Sequence, residues 1–232
     1  MYKRQDVDFS FKDLYFALNY RVRTGIFTID PGLTLHFYDN NNIQLGQTFA
    51  KDISDIRPNL RVNMQFKKNE NLRFTYRKNT QFTDVNNISE GYIFNNYNSI
   101  FRGNRELEAA IVNSYNLNYR SINQFTFTNI YSNISYSKRE NSIQSRAAID
   151  GINSVRTADN SIFPRETYSA RARLDRRFKN IKINLSANFR YSEFSNIINN
   201  VVNNAESFNQ DYEASLETNF RDKPNFEIGL KY

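Results

Sequence analysis

The sequence predicts an all-β chain: a portion of an antiparallel up-and-down β-barrel of about ten strands, with short turns at one end and long loops at the other. Three observations predict it. Apolar and polar residues alternate with period two from one end of the chain to the other. The residue stock favours strands, with 35 Phe or Tyr against only 7 Gly and 4 Pro in 232 residues. Short and long connections also alternate down the chain, as in a meander whose tight turns share one end.

The strands follow in order. Leu14, Phe16, Leu18, Tyr20 and Val22 share one face, and Phe27 and Ile29 lead to Leu33, Leu35 and Phe37 past Pro31-Gly32, where a bulge or kink is expected. Leu60 to Phe66 and Leu72 to Tyr76 supply the third and fourth strands, and Tyr115, Leu117 and Tyr119 mark the fifth. In the sixth, Phe125/Phe127 and Ile130/Ile134/Tyr136 lie on opposite parities, which a bulge near Asn129 would reconcile. Tyr168 to Leu174, Ile181 to Tyr191, Tyr212 to Phe220 and Phe226 to Tyr232 complete the set.

Short links fall near Thr24-Gly25, Lys68 to Glu70, Ser121-Ile122, Lys179-Asn180 and Asp222 to Pro224; long ones span about 39–57, 80–110, 138–166 and 193–210. Loops this long are unusual in a compact soluble domain and expected on the outer side of a membrane barrel. Alternation alone leaves a soluble barrel with the apolar face inside open, and the loop asymmetry counts against it. A membrane barrel puts the apolar face on lipid and makes Arg61, Arg73, Arg171, Arg173, Lys182, Arg190, Glu213 and Glu217 candidates for the lumen. Tyrosines near strand ends fit an interfacial girdle.

Composition narrows the chemistry. There is no cysteine, hence no disulfide, thiolate nucleophile or thiolate metal site. His36 is the single histidine, expected as an ordinary strand residue. A net charge of +7 comes with 24 acidic residues interleaved among 31 basic ones, which suits a mixed polar surface rather than a nucleic-acid track. No cofactor, catalytic residue or metal site is expected, and the chain is read as a non-enzyme. Residues 1–11 hold Lys3 and Arg4 but no apolar run after them, so no secretory signal is expected in this stretch.

The stretch NLRFTYRKNTQFTDVNNIS (71–89), a long loop and then GNRELE (103–108) resemble the middle of the barrel in TonB-dependent receptors, particularly the outer membrane protein beta-barrel family of Bacteroidota. Leu72, Arg73 and Tyr76 match the strand motif, and Gly103, Asn104 and Leu107 match the loop motif. Arg105 and Ala109 stand where the family usually has prolines, and Ala110 where it usually has glutamate. The resemblance implies an outer-membrane location, contact with lipid, an unidentified ligand, and coupling to the TonB system through a plug and contact segment beyond residues 1–232. It also implies a barrel of 22 strands, so the chain reads as one partial barrel domain, favoured over closure of ten strands. Two other functions stay open: a non-transporting barrel or scaffold that binds a surface partner, and a soluble secreted ligand-binding β-protein.

Overall fold

The computed structural model describes residues 7–44 and 46–232. Residues 1–6, which carry Lys3 and Arg4, lie outside the described residues. The described chain forms β1 (Val7–Asn19), β2 (Val22–Thr24), β3 (Phe27–Gln44), β4 (Gln47–Lys67), β5 (Glu70–Gln81), α1 (Val85–Ile88), β6 (Tyr92–Asn96), β7 (Ser99–Arg102), β8 (Ala110–Asn123), β9 (Thr128–Glu140), β10 (Ile143–Asp150), β11 (Asn153–Asn160), β12 (Arg165–Phe178), β13 (Ile181–Ile198), β14 (Val201–Thr218) and β15 (Glu227–Lys231). All fifteen strands belong to one sheet. Its main path is an antiparallel meander, β1/β2-β3-β4-β5-β8-β9-β12-β13-β14-β15, ten strands once β1 and β2 are taken as one interrupted strand. β1 and β15 are not paired with each other.

The register shows how the strands lean. Pro31, Leu60, Tyr76, Tyr115, Tyr136, Tyr168 and Tyr191 form one row of directly opposed residues. Below that row the first four tight turns are reached at Phe27, Glu70, Thr128 and Ile181, so each hairpin runs two residues further than the one before. If the turns share a plane, the offset is one residue per strand. With a rise of about 3.3 Å per residue and about 4.8 Å between strands, that offset corresponds to a tilt of about 35°, within the range of closed barrels.

Several sequence expectations need correction. The connections at 39–57 and 193–210 are not loops: β3 and β4 stay paired up to Gln44 opposite Gln47, and β13 and β14 up to Ile198 opposite Val201. Asparagine-rich runs such as Asp39–Asn42 carry no strand signal of their own, but long-range pairing satisfies their backbone. The 138–166 connection is largely the β10/β11 hairpin, turning at Gly151, and β10 pairs in parallel with the end of β13. The 80–110 connection holds α1 and the β6/β7 hairpin, which joins β11.

Neither expected bulge forms. The sixth strand starts at Thr128 in constant register, and Phe125 and Phe127 belong to the turn, which lies at Gln124–Phe127 rather than at Ser121-Ile122. Pro31 sits in unbroken β3 and instead interrupts its neighbour: the Tyr20 N–H donates to the Pro31 carbonyl (3.0 Å), but Pro31 has no N–H to return, and the ladder lapses between β1 and β2. The one register shift in the main wall falls at Gln65/Lys67.

The two faces differ in chemistry. One carries Leu14, Leu35, Leu60, Phe74, Leu117, Ile134, Ala172 and Leu185, each exposed or half-buried in the isolated sheet. The densest packing is elsewhere, above the tyrosine row, where the 82–109 segment folds onto the β3/β4 extension and buries Tyr38, Gln44, Asp55 and Ile88.

Candidate functional site

The polar face is built in rows. Arg73, Asn118, Asn133, Arg171, Asn188 and Asp211 stand directly opposite one another across β5, β8, β9, β12, β13 and β14. Arg61 and Arg190 belong to the row above, and Arg173 and Glu213 to the row below. All eight sequence candidates therefore share one face, but only some of them meet. Lys182 pairs with Glu217 (3.0 Å), whereas Arg173 turns along its own strand to Asp175 (3.0 Å). Arg73, Arg171 and Arg190 make no ion pair among the described residues, and neither do Arg77 and Arg120 on the same face. Between Arg73 and Arg171 lies an amide cluster: Asn133 Nδ2 donates to Asn116 and Asn118 (3.1 Å each), Asn118 donates to Asn116, and the Tyr131 hydroxyl donates to Asn118 (3.0 Å).

A second group, above the tyrosine row, clamps the outer segment to the wall. The β4–β5 ladder stops at Asn59/Arg77, next to Pro58, which has no N–H to continue it. Side chains bridge the gap: Lys78 Nζ donates to the Ile56 carbonyl (3.0 Å) and Arg57 to the Thr80 carbonyl (3.3 Å). At its centre Asp55, 9% exposed, accepts from Arg57 (2.7 Å), Lys78 (3.2 Å) and Thr80. Burial works against ionisation of Asp55, but the bonds from Thr80, Arg57 and Lys78 outweigh it and hold the carboxyl below its ordinary range. Tyr38 packs edge-on against Phe82 (4.6 Å between centroids), with the Arg57 guanidinium over its ring. No spacing rule could have found this group, because it joins β3, β4 and the end of β5 through a ladder that fails.

The loop motif lies beside the clamp. The Gly103 N–H donates to the Ser89 carbonyl (2.9 Å) and the Asn104 N–H to the Asn87 carbonyl (2.7 Å). A Cβ on Gly103 would collide with both carbonyl oxygens, so only glycine fits there. Asn104 Oδ1 accepts the Glu106 N–H (2.9 Å), closing the turn that brings Leu107 alongside Phe82 and Ile88. Leu72, Arg73 and Tyr76 stand apart from these residues, on β5, with the Arg73 side chain on the polar face and the other two on the apolar face.

Comparison with known proteins fits this geometry. The description "Outer membrane protein beta-barrel family" matches residues 7–232. The chain belongs to that family. It is similar in fold to the FrpB iron transporter from Neisseria meningitidis (TM-score 0.63, 14% identity, covering 98% of this chain and 33% of that one). It is also similar to the Serratia marcescens hemophore receptor HasR (0.68, 12%, 96% and 43%) and to the copper transporter OprC (0.62, 10%, 97% and 34%). The chain thus spans about a third to two fifths of the length of these structures. No curated protein matches its sequence.

Membership of the outer membrane family places the chain in the outer membrane and sets aside the soluble reading. In a membrane barrel the apolar face meets lipid, and the tyrosine row marks where that face ends. One position above it on the same face stand Lys78, Lys138, Glu166 and Glu193. Arg105, at a place where the family usually has proline, ion-pairs with Glu90 and donates to Gln47 (3.3 Å), adding a tie from the motif to β4. His36 places Nδ1 2.9 Å from Asp13 and stacks between Tyr15 and Tyr38 (5.5 and 5.3 Å). It is a packed strand residue.

Proposed function

We propose that residues 1–232 form one part of the barrel of a TonB-dependent uptake receptor of the Bacteroidota type, with a plug and TonB-contacting segment elsewhere in the full protein. The observation that carries this reading is a tilted wall with two unpaired edges, β1 and β15, whose fold follows a third to two fifths of larger transporters and receptors. Unpaired edges are costly in lipid, and further strands of a larger barrel would satisfy them. The polar face with Arg61, Arg73, Arg171, Arg173, Lys182, Arg190, Glu213 and Glu217 lines the lumen, and the outer segments capture the ligand. Of the motif residues, Gly103, Asn104 and Leu107 hold the capture segment in its fold, and Leu72, Arg73 and Tyr76 belong to the wall on β5.

In vivo cross-linking of the full-length protein tests this reading. A cross-link to TonB that strengthens when ligand-bearing medium is supplied is expected; a full-length product that never contacts TonB would overturn it. A second reading, a surface-binding scaffold, draws on the outer platform β13-β10-β11-β7-β6, whose Tyr92, Phe94 and Tyr97 are exposed, Tyr97 to 92%. Retained partner binding with no TonB contact would favour it.

A further inference from the structure

Charge is unevenly distributed over the polar face. On β4, β5, β8 and β9 the alternate positions from Asn59 to Gln65, Asn71 to Gln81, Val112 to Ile122 and Asn129 to Arg139 hold five arginines, namely Arg61, Arg73, Arg77, Arg120 and Arg139, and no carboxylate. The carboxylates of this face stand on the strands to either side, as Asp13 and Asp30 with Asp55 beyond the end of the β4–β5 ladder, and as Asp175, Asp211, Glu213, Glu217 and Glu227. Where acids are in reach the face neutralises its cations, as in Lys182–Glu217, Arg173–Asp175 and Arg21–Asp30. Arg61 stands directly opposite Asp30, whereas Arg73, Arg77, Arg120 and Arg139, on β5, β8 and β9, lack that neutralisation among the described residues.

Resting on the reading of this face as the lumen, we propose that its stretch from β5 to β12, around Arg73, Arg120 and Arg171, is a binding wall for an anionic solute bearing several carboxylate, phosphate or sulfate groups. The hydrogen-bond inventory argues for an acceptor-rich ligand. The carbonyl oxygens of Asn116 and Asn118 each accept two bonds within the amide cluster. Among the described residues Asn116 Nδ2 and the three guanidiniums are left as free donors, against one free amide oxygen on Asn133. Guanidinium forks match oxyanions two bonds at a time. Arg73 and Arg171 stand three strands apart, about 14 Å, with Arg120 one row below Asn118 between them, so a ligand with several oxyanion groups meets all three where a single small ion does not. A wall of uncompensated like charge also draws anions toward it from a distance.

The test is calorimetric titration of the purified full-length protein in detergent micelles with tripolyphosphate, with citrate, and with neutral maltotetraose. Tripolyphosphate and citrate are expected to bind, more weakly as salt rises, and maltotetraose much less. Arg73→Gln, Arg120→Gln and Arg171→Gln should each weaken tripolyphosphate binding about tenfold. Arg221→Gln, on the bend after β14, should leave it unchanged. Retention of the heat-dependent shift in gel migration checks that each variant is folded. Wild-type affinity in a folded triple variant overturns the proposal. So does a wild type that binds no free anion while the arginine variants lose thermal stability, because then acidic residues of the protein itself occupy the wall. The titration needs no TonB, so a failed cross-link and a failed titration are separate results.

Discussion

Tyr136 and Tyr168 face each other across β9 and β12 with ring centroids 4.7 Å apart, and each lies one position below a charge on the same face, Lys138 and Glu166. The contact is one step of a row running Tyr76, Tyr115, Tyr136, Tyr168 and Tyr191, with centroid separations of 4.7 to 6.2 Å. The rings pack on one another while their hydroxyls reach the polar zone, which suits the edge of a lipid-facing surface. Tyr168→Ala should cost about 1–3 kcal/mol through the lost ring contacts and buried area, whereas Tyr168→Phe should cost under 1. Urea midpoints of the protein refolded into lipid vesicles check this, and equal effects of the two variants would contradict it.

Face assignment can be tested on β13. A spin label at Leu185→Cys should be relaxed by oxygen dissolved in lipid, and one at Ser186→Cys by a water-soluble nickel chelate. Water access at Leu185 in the bilayer-embedded protein would reverse the assignment of the two faces.

Gly103→Ala should loosen the fold of the 82–109 segment, because the new methyl displaces the Ser89 and Asn87 carbonyls, at a cost of about 1–3 kcal/mol. Proteolysis of intact cells reads it: faster cleavage within 82–109, with the barrel's heat-dependent migration intact.

Asp55 gives the clamp a pH dependence. Its carboxyl is held below the ordinary value, so its contribution is full above the unfolded-state pKa of about 3.9 and is lost as pH falls through the lower folded value. Protection of the 82–109 segment from hydrogen exchange should hold from neutral pH to about 4 and fall only in stronger acid. Asp55→Asn should lower that protection by about 3 kcal/mol at neutral pH, since it leaves Arg57 and Lys78 without their anion, and the difference from the wild type should shrink in the acid that protonates Asp55.

Pro31→Ala should mend the lapse between β1 and β2. A donor at position 31 can bond the Tyr20 carbonyl, adding about 0.5–1.5 kcal/mol and slowing exchange of the neighbouring amides. Unchanged exchange from Asn19 to Val22 would place the cause of the lapse elsewhere.

The sequence by itself determined the ten-strand meander, its two faces and the side with tight turns, because period-two alternation is a local property of the backbone that shows wherever one face avoids charge. It also identified the eight charged residues that share the polar face. Only the tertiary structure decided the rest. Asp39–Asn42 and Asn203–Asn204 become strand through hairpin partners seven to thirteen residues away, which asparagine's own preference does not announce. The Asp55 clamp exists because Pro58 ends one ladder and lets β5 side chains reach β4. The contrast between paired and unpaired arginines depends on register, which sets Lys182 against Glu217 but Arg73 against Asn118. Alternation fixes which face a residue takes; pairing between distant strands fixes what stands opposite it.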